Sequence, residues 1–139
     1  MLKMATIFPP AKGMTVVVVE DEPVVRDLTV SELEDNGFDV VEFETADAAL
    51  PYLRRHGAGL AAVVTDVQMP GQTNGLELAD ILNSIWPELR VLVTSGGPLV
   101  NPAKLPPCAK FMPKPWLPAD LARRVLTLVT PGRPPLPVS

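Results

Sequence analysis

The chain has 139 residues, 47% of them hydrophobic and 20% charged, with a formal net charge of −4 and a single cysteine. That length fits one domain burying roughly two-thirds of its unfolded surface, and no apolar run approaches the ~20 residues of a membrane-spanning helix, so a soluble protein without a membrane partner is expected. Cys108 alone excludes an internal disulfide and a cysteine metal cluster, in keeping with a reducing cytoplasm, and the acidic balance argues against direct nucleic-acid binding.

In chain order, residues 1–13 read as a flexible leader whose apolar run is too short for a signal peptide. Met14 to Val19 is a continuous apolar run, the mark of a strand buried on both faces, and it ends in Glu20-Asp21-Glu22. Pro23 opens a helix to about Asn36, and Gly37 stops it. Phe38 to Phe43 is a short strand. Thr45 caps a second helix through about Arg55, which Pro51 must shorten or kink, with His56 solvated at its end. Leu60 to Asp66 is a second apolar run without alternation, and Pro70-Gly71 force a loop directly after it.

Gly75 to Trp86 places Leu78, Ala79, Ile81, Leu82, Ile85 and Trp86 on one helical arc, with Trp86 set to anchor the helix against the sheet; Pro87 ends it. Leu89 to Thr94 is a fourth strand, closing in Ser95-Gly96-Gly97. Ala109 to Met112 is a fifth, followed by Lys114-Pro115. The last helix, Leu117 to Val129, turns Leu121, Val125, Leu126, Leu128 and Val129 inward. Cys108 reads as a small side chain at the core's edge. Trp116 sits on an exposed loop, where packing and partner contact are equally open. The proline-rich tail 131–139 reads as extended or disordered, leaving 14–130 as the domain.

Strands alternating with helices imply right-handed crossovers and an α/β, flavodoxin-like doubly wound parallel sheet of five strands in the order 2-1-3-4-5. Strands one and three are then neighbours, so Glu20, Asp21 and Asp66 converge at the sheet's C-terminal edge. Strand four brings Ser95 there and strand five brings Lys114. Three adjacent carboxylates repel one another unless a cation sits among them or a proton is retained, and Mg2+ suits them, taking one or two carboxylates, a backbone carbonyl and waters. A hydroxyl and an ammonium are what a phosphoryl group on Asp66 would need. Singly, each residue has a plain structural explanation: a strand-end cap, a solvated helix start, a turn serine, a surface lysine. Jointly, those explanations do not account for four strand ends that each carry a group phosphoryl transfer requires.

Glu20-Asp21-Glu22, Asp66 with Met69-Pro70 and Gly75, Thr94-Ser95-Gly96 and Lys114-Pro115 together resemble the receiver domain of two-component response regulators, over about Met14 to Val129. The long Asp66-to-Gly75 spacing is similar to receivers of hybrid histidine kinases and related stand-alone receivers. The resemblance implies that Asp66 is the phosphoacceptor, attacking the phosphorus of a phosphohistidine on a histidine kinase or histidine phosphotransfer protein. It implies that Asp21 binds Mg2+ directly with Asp66 and the backbone carbonyl of Gln68, while Glu20 acts mainly through water. Lys114 would pair with Asp66 and then with the phosphoryl group. Ser95 would move to that group as the switch, Phe111 would be the aromatic switch residue, and the Gln68 side chain and Gly97 would tune hydrolysis. The few residues after Val129 leave no room for an effector domain, so a stand-alone regulator with an unknown output protein is expected rather than an enzyme with turnover.

Two other readings stand beside it. An aspartate-nucleophile phosphatase of the haloacid dehalogenase type needs an acid where Gln68 stands. A degenerate receiver that only binds partners would not need Asp21, Asp66, Ser95 and Lys114 all intact.

One stretch departs from the family's pattern. Between Ser95 and Lys114 receivers fit a fourth helix, but here Gly96, Gly97, Pro98, Pro102, Pro106 and Pro107 leave no uninterrupted window longer than Ala103-Lys104-Leu105. A proline inside a helix costs ~3 kcal/mol, so this helix is expected shortened to one turn or missing, and the output face around Phe111 unlike the common one.

Overall fold

Five parallel strands, β1 (Thr15–Val19), β2 (Asp39–Phe43), β3 (Ala62–Asp66), β4 (Arg90–Ser95) and β5 (Ala109–Pro113), form one sheet in the order β2-β1-β3-β4-β5. Four α-helices connect or follow them: α1 (Pro23–Asp35), α2 (Ala46–His56), α3 (Gly75–Ile85) and α4 (Pro118–Leu128). The computed structural model describes residues 12–97 and 100–130, so most of the expected leader, the expected tail and Pro98-Leu99 lie outside the described residues. None of the described helices is long and apolar enough to cross a membrane.

The valine runs explain the layering. Successive strand residues face opposite sides, and every side of the central strands is covered. Val17, Val19, Val63, Val91 and Val93 pack with Ala46, Ala49 and Leu53 of α2 and Leu78, Ala79 and Leu82 of α3. Val16, Val18, Ala62, Val64 and Leu92 pack on the other face with Val30 and Leu33 of α1 and Leu121, Ala122 and Val125 of α4. Each fully buried Val or Leu stabilises the fold by about 1.5–3 kcal/mol, which is why the two apolar runs become the centre. The edge strands are more polar: β2 exposes Asp39 and Glu42, and β5 exposes Lys110 and Pro113. Charge and proline there discourage pairing with a further strand.

Local chemistry sets the helix ends. Gly37, at φ +97°, takes the left-handed conformation after α1, and the Phe38 N–H returns to the Leu33 carbonyl at 3.1 Å. The Thr45 hydroxyl accepts from the Ala48 N–H at 3.1 Å. Asn74 and Glu77 cap α3 reciprocally, each side chain accepting the other's backbone N–H at 2.9 Å.

One sequence expectation needs correction and two become more specific. Pro51 does not shorten α2, which runs to His56; Pro51 is exposed, while Ala46, Ala49 and Leu53 hold the opposite face in the core. Trp86 does not simply seat α3 on the sheet. Its indole N–H donates to the Leu53 carbonyl at 2.9 Å, tying α3 to the C-terminal turn of α2, where the same carbonyl also accepts the Gly57 N–H. Of the two readings left open for Trp116 the structure bears out packing: it is half-buried on the core cluster between the sheet, α1 and α4.

Other readings are met. Between β4 and β5 the described residues form a single 3-10 turn, Pro102–Lys104. Cys108 is buried at the end of that connection. His56 is exposed at the end of α2, its ring centroid 4.5 Å from that of Tyr52.

Candidate functional site

Strand register builds the site. Val19 stands beside Phe43 and Thr65, Asp66 beside Thr94, and Ser95 beside Pro113. The next residues along β1 and β5 are Glu20 and Lys114, so four strand ends deliver their functional groups at one level. The Lys114 N–H closes this edge on the Ser95 carbonyl at 3.0 Å. A cleft of about 560 Å³ opens above it, lined among others by Asp21, Asp66, Gln68, Ser95, Gly97 and Lys114.

Within this site, one carboxylate oxygen each from Glu20, Asp21 and Asp66 lies within 4.8 Å of the others. Glu20 and Asp66 are buried, while Asp21 is half-exposed at the mouth. The Lys114 ammonium donates to Glu20 Oε1 at 2.9 Å and stands 3.6 Å from Asp66 Oδ1. It thus pairs with Asp66, as the resemblance implies, while its shorter contact is to Glu20. Both carboxylates also accept a backbone N–H, Asp66 Oδ1 from Val67 at 2.9 Å and Glu20 Oε2 from Glu22 at 3.2 Å.

Burial pushes the Glu20 and Asp66 carboxyls up; Lys114 works against this in both, Glu22 and Val67 amides oppose it, and neighbouring carboxylates add to it. Burial works to lower the Lys114 ammonium, but Glu20 and Asp66 outweigh it and hold the group above its ordinary value.

These donors fit a hard divalent cation. Two buried carboxylates and one at the mouth carry three charges against one ammonium, and all offer oxygen, the ligand Mg2+ prefers. The pH dependence follows. Groups whose folded values are raised add stability below their ordinary values, 3.8 for Asp66 and 4.5 for Glu20, and that stability is lost as pH rises through the folded values. Lys114, also raised, loses its contribution only in alkali. Stabilisation by Mg2+ should therefore grow from the ordinary carboxylate range to neutrality, reaching about 2.7 kcal/mol at ~100-fold excess over Kd. Thermal melts with and without Mg2+ at acid and neutral pH test this. An equal shift at both would contradict it.

Other contacts position the site, and some have no counterpart in the sequence reading. Arg26 on α1 donates from Nη1 to the Glu20 carbonyl at 2.8 Å and from Nε to Glu42 at 3.0 Å, fixing the turn that presents the acids. Ser95 Oγ accepts the Gly97 N–H at 3.1 Å. The Gln68 side chain lies against Gly97, where an added Cβ would come 3.0 Å from its amide nitrogen. Phe111 stands apart: it is half-buried against the core on β5, and its carbonyl accepts from Arg124 at 3.3 Å. A second cleft of about 440 Å³, under the β4–β5 connection, shares Gln68 and Ser95 with the first.

Comparison with known proteins agrees with this geometry. The profile of the response regulator receiver domain matches residues 16–125. The transcriptional regulatory protein FixJ of Azorhizobium caulinodans is 33% identical over 112 residues, covering 76% of this chain and 50% of its own. The sensor kinase CckA of Brucella abortus is 35% identical over 114 residues, covering 80% of this chain and 12% of its own. The chain thus spans half or less of these curated relatives. A response regulator receiver protein from Sinorhizobium medicae superposes with a TM-score of 0.76 at 25% identity, over 84% of this chain and 94% of that one. The receiver domain of the hybrid histidine kinase CckA superposes at 0.71 and 26% identity, over 83% and 98%.

Proposed function

Since this chain belongs to the response regulator receiver domains of two-component systems, we propose that Asp66 accepts a phosphoryl group from a phosphohistidine and that the domain signals by altered partner binding. Supporting this reading above all is the gathering of Asp66, two further carboxylates, Lys114 and Ser95 around one cleft. An Asp66 oxygen attacks the phosphorus, the new P–O bond forms as the P–N bond breaks, and the ring nitrogen leaves with the electron pair. Glu20, Asp21, Asp66 and the Gln68 carbonyl would hold Mg2+, which when bound offsets negative charge on the transferring group.

The chain's own groups do the remaining work. Lys114, bonded to Glu20 and 3.6 Å from Asp66, is within reach of a phosphoryl group on Asp66 and would pair with its oxygens. Ser95 gives up its contact with the Gly97 N–H to donate to the same group, and the surface around Phe111 and the 3-10 turn repacks. Gln68 and Gly97 shape water access to the aspartyl phosphate. The donor is a histidine kinase or histidine phosphotransfer protein; the domain acts as a cytoplasmic regulator through an output protein, without turnover of its own.

Incubation with Mg2+ and acetyl phosphate tests this by intact mass. One phosphoryl per chain is expected, none when the metal is chelated. No gain under any condition would remove the proposal, and steady release of phosphate from an external phosphoester would replace it with a phosphatase.

A further inference from the structure

The loop from Asp66 to α3 is held at its base and again at its tip. At the base the Val67 N–H donates to the Thr94 carbonyl and the Gly75 N–H to the Val67 carbonyl, both at 2.9 Å. At the tip a residue of another element takes over. Asp47, in the first turn of α2, accepts the Gln72 N–H on Oδ2 at 2.7 Å. That bond, with Thr73 beside it, holds Asp47 below the usual carboxylate range. Gly71 sits at φ +110° with Asp47 Oδ2 in the space a Cβ would need. A β-carbon there would be strained and would collide with the carboxylate, so Gly71 and Asp47 fit only as a pair.

Between base and tip runs Gln68. Its side chain is exposed apart from its contact with Gly97, and it lies in the wall of the cleft. Nothing in Gln68 itself fixes which way its carbonyl points. The direction is set by the closed loop, and the loop is closed by a carboxylate that does not touch the cleft.

We infer that Asp47 is a positioning residue for the metal site: its clamp on Gln72 and Thr73 orients the Gln68 carbonyl, so that removing it weakens divalent-cation binding without removing any ligand. The inference rests on the proposed function only for the identity of the ligand at Gln68. Groups hydrogen-bonded directly to a metal's ligands, when lost, typically weaken binding by about 10–100-fold, and Asp47, acting through Gln72 on the same loop, belongs at the low end of that range.

The test uses the whole chain and two readouts. In metal-free protein, hydrogen exchange at the Gln72 amide should quicken on the order of 10-fold in Asp47→Ala, with β3 and α3 amides unchanged. Calorimetric titration with Mg2+ should show roughly 10-fold weaker binding in Asp47→Ala and a smaller loss in Asp47→Asn, which keeps one acceptor oxygen. Thr73→Val, on the exposed loop, should move both readouts in the same direction by less, and it serves if Asp47→Ala does not fold. Unchanged Gln72 exchange overturns the clamp. Quickened exchange with unchanged Mg2+ affinity, or lower thermal stability alone, overturns its positioning role. Wild-type protein that gains no phosphoryl would remove the proposed function while leaving both readouts able to decide this one.

Discussion

Asp66→Asn is expected to abolish phosphoryl uptake and yet to make the metal-free domain more stable. Uptake is lost because an amide oxygen is a poor nucleophile and the other cleft carboxylates cannot replace it: Glu20 holds Lys114, and Asp21 stands at the mouth. Stability rises because burial is the largest influence on Asp66 and acts against its charge, with Asp21 adding to that and Lys114 only partly compensating. Asparagine keeps an oxygen for the Val67 N–H and leaves Lys114 its Glu20 partner. The gain should show as a higher melting temperature at neutral pH and should vanish in saturating Mg2+ because a ligand is gone. Intact mass after acetyl phosphate and melts with and without Mg2+ give both results. Undiminished phosphoryl uptake would place the acceptor elsewhere in the chain.

Gly75→Ala should do the reverse, damaging fold and site together. A Cβ on Gly75 would be driven into the Asp66 carbonyl oxygen, with the Asp66 carbonyl carbon at 2.8 Å and Val67 Cα at 2.9 Å. These are backbone atoms of the strand end that carries the nucleophile, and they cannot rotate away as a side chain could. Overpacking of this kind costs about 3 kcal/mol, a fall in Tm of roughly 10 °C for a domain of this size. Whatever relief the chain finds must move Asp66 or the start of α3, so Mg2+ affinity and phosphorylation should fall as well. A variant with wild-type melting and phosphorylation would show that α3 can retreat without cost.

How much of this was legible in the sequence depended on how local the cause was. Val16 to Val19 and Ala62 to Val64 announced the central strands because burial on both faces needs no information beyond the run itself. Gly37, Thr45 and the prolines of the β4–β5 connection acted within a few residues of where they stand. The gathering of Glu20, Asp66, Ser95 and Lys114 was legible because strand order and the parallel register decide it. What the sequence could not supply was the pairing of distant partners. Lys114 bridges Asp66 and Glu20, a second partner that only the folded edge brings within reach. Arg26 and Asp47 look like ordinary charges on helical first turns until the fold brings Glu20 and Gln72 to them. Asn74 and Glu77 form a capping pair that spacing alone could have revealed. Pro51 misled because packing of Ala46, Ala49 and Leu53 outweighs the hydrogen bond that a proline removes.

The two tryptophans occupy unlike surroundings, and this equips the domain with an optical reporter. Trp86 is hydrogen-bonded to Leu53, whereas the buried Trp116 N–H has no partner among the described residues and follows Lys114 by only two positions. Indole emission shifts to longer wavelength when the excited ring meets polar groups. A rearrangement around Lys114 can therefore alter the colour of Trp116 while Trp86 stays constant, and a Trp86→Phe protein would isolate that signal without any attached dye.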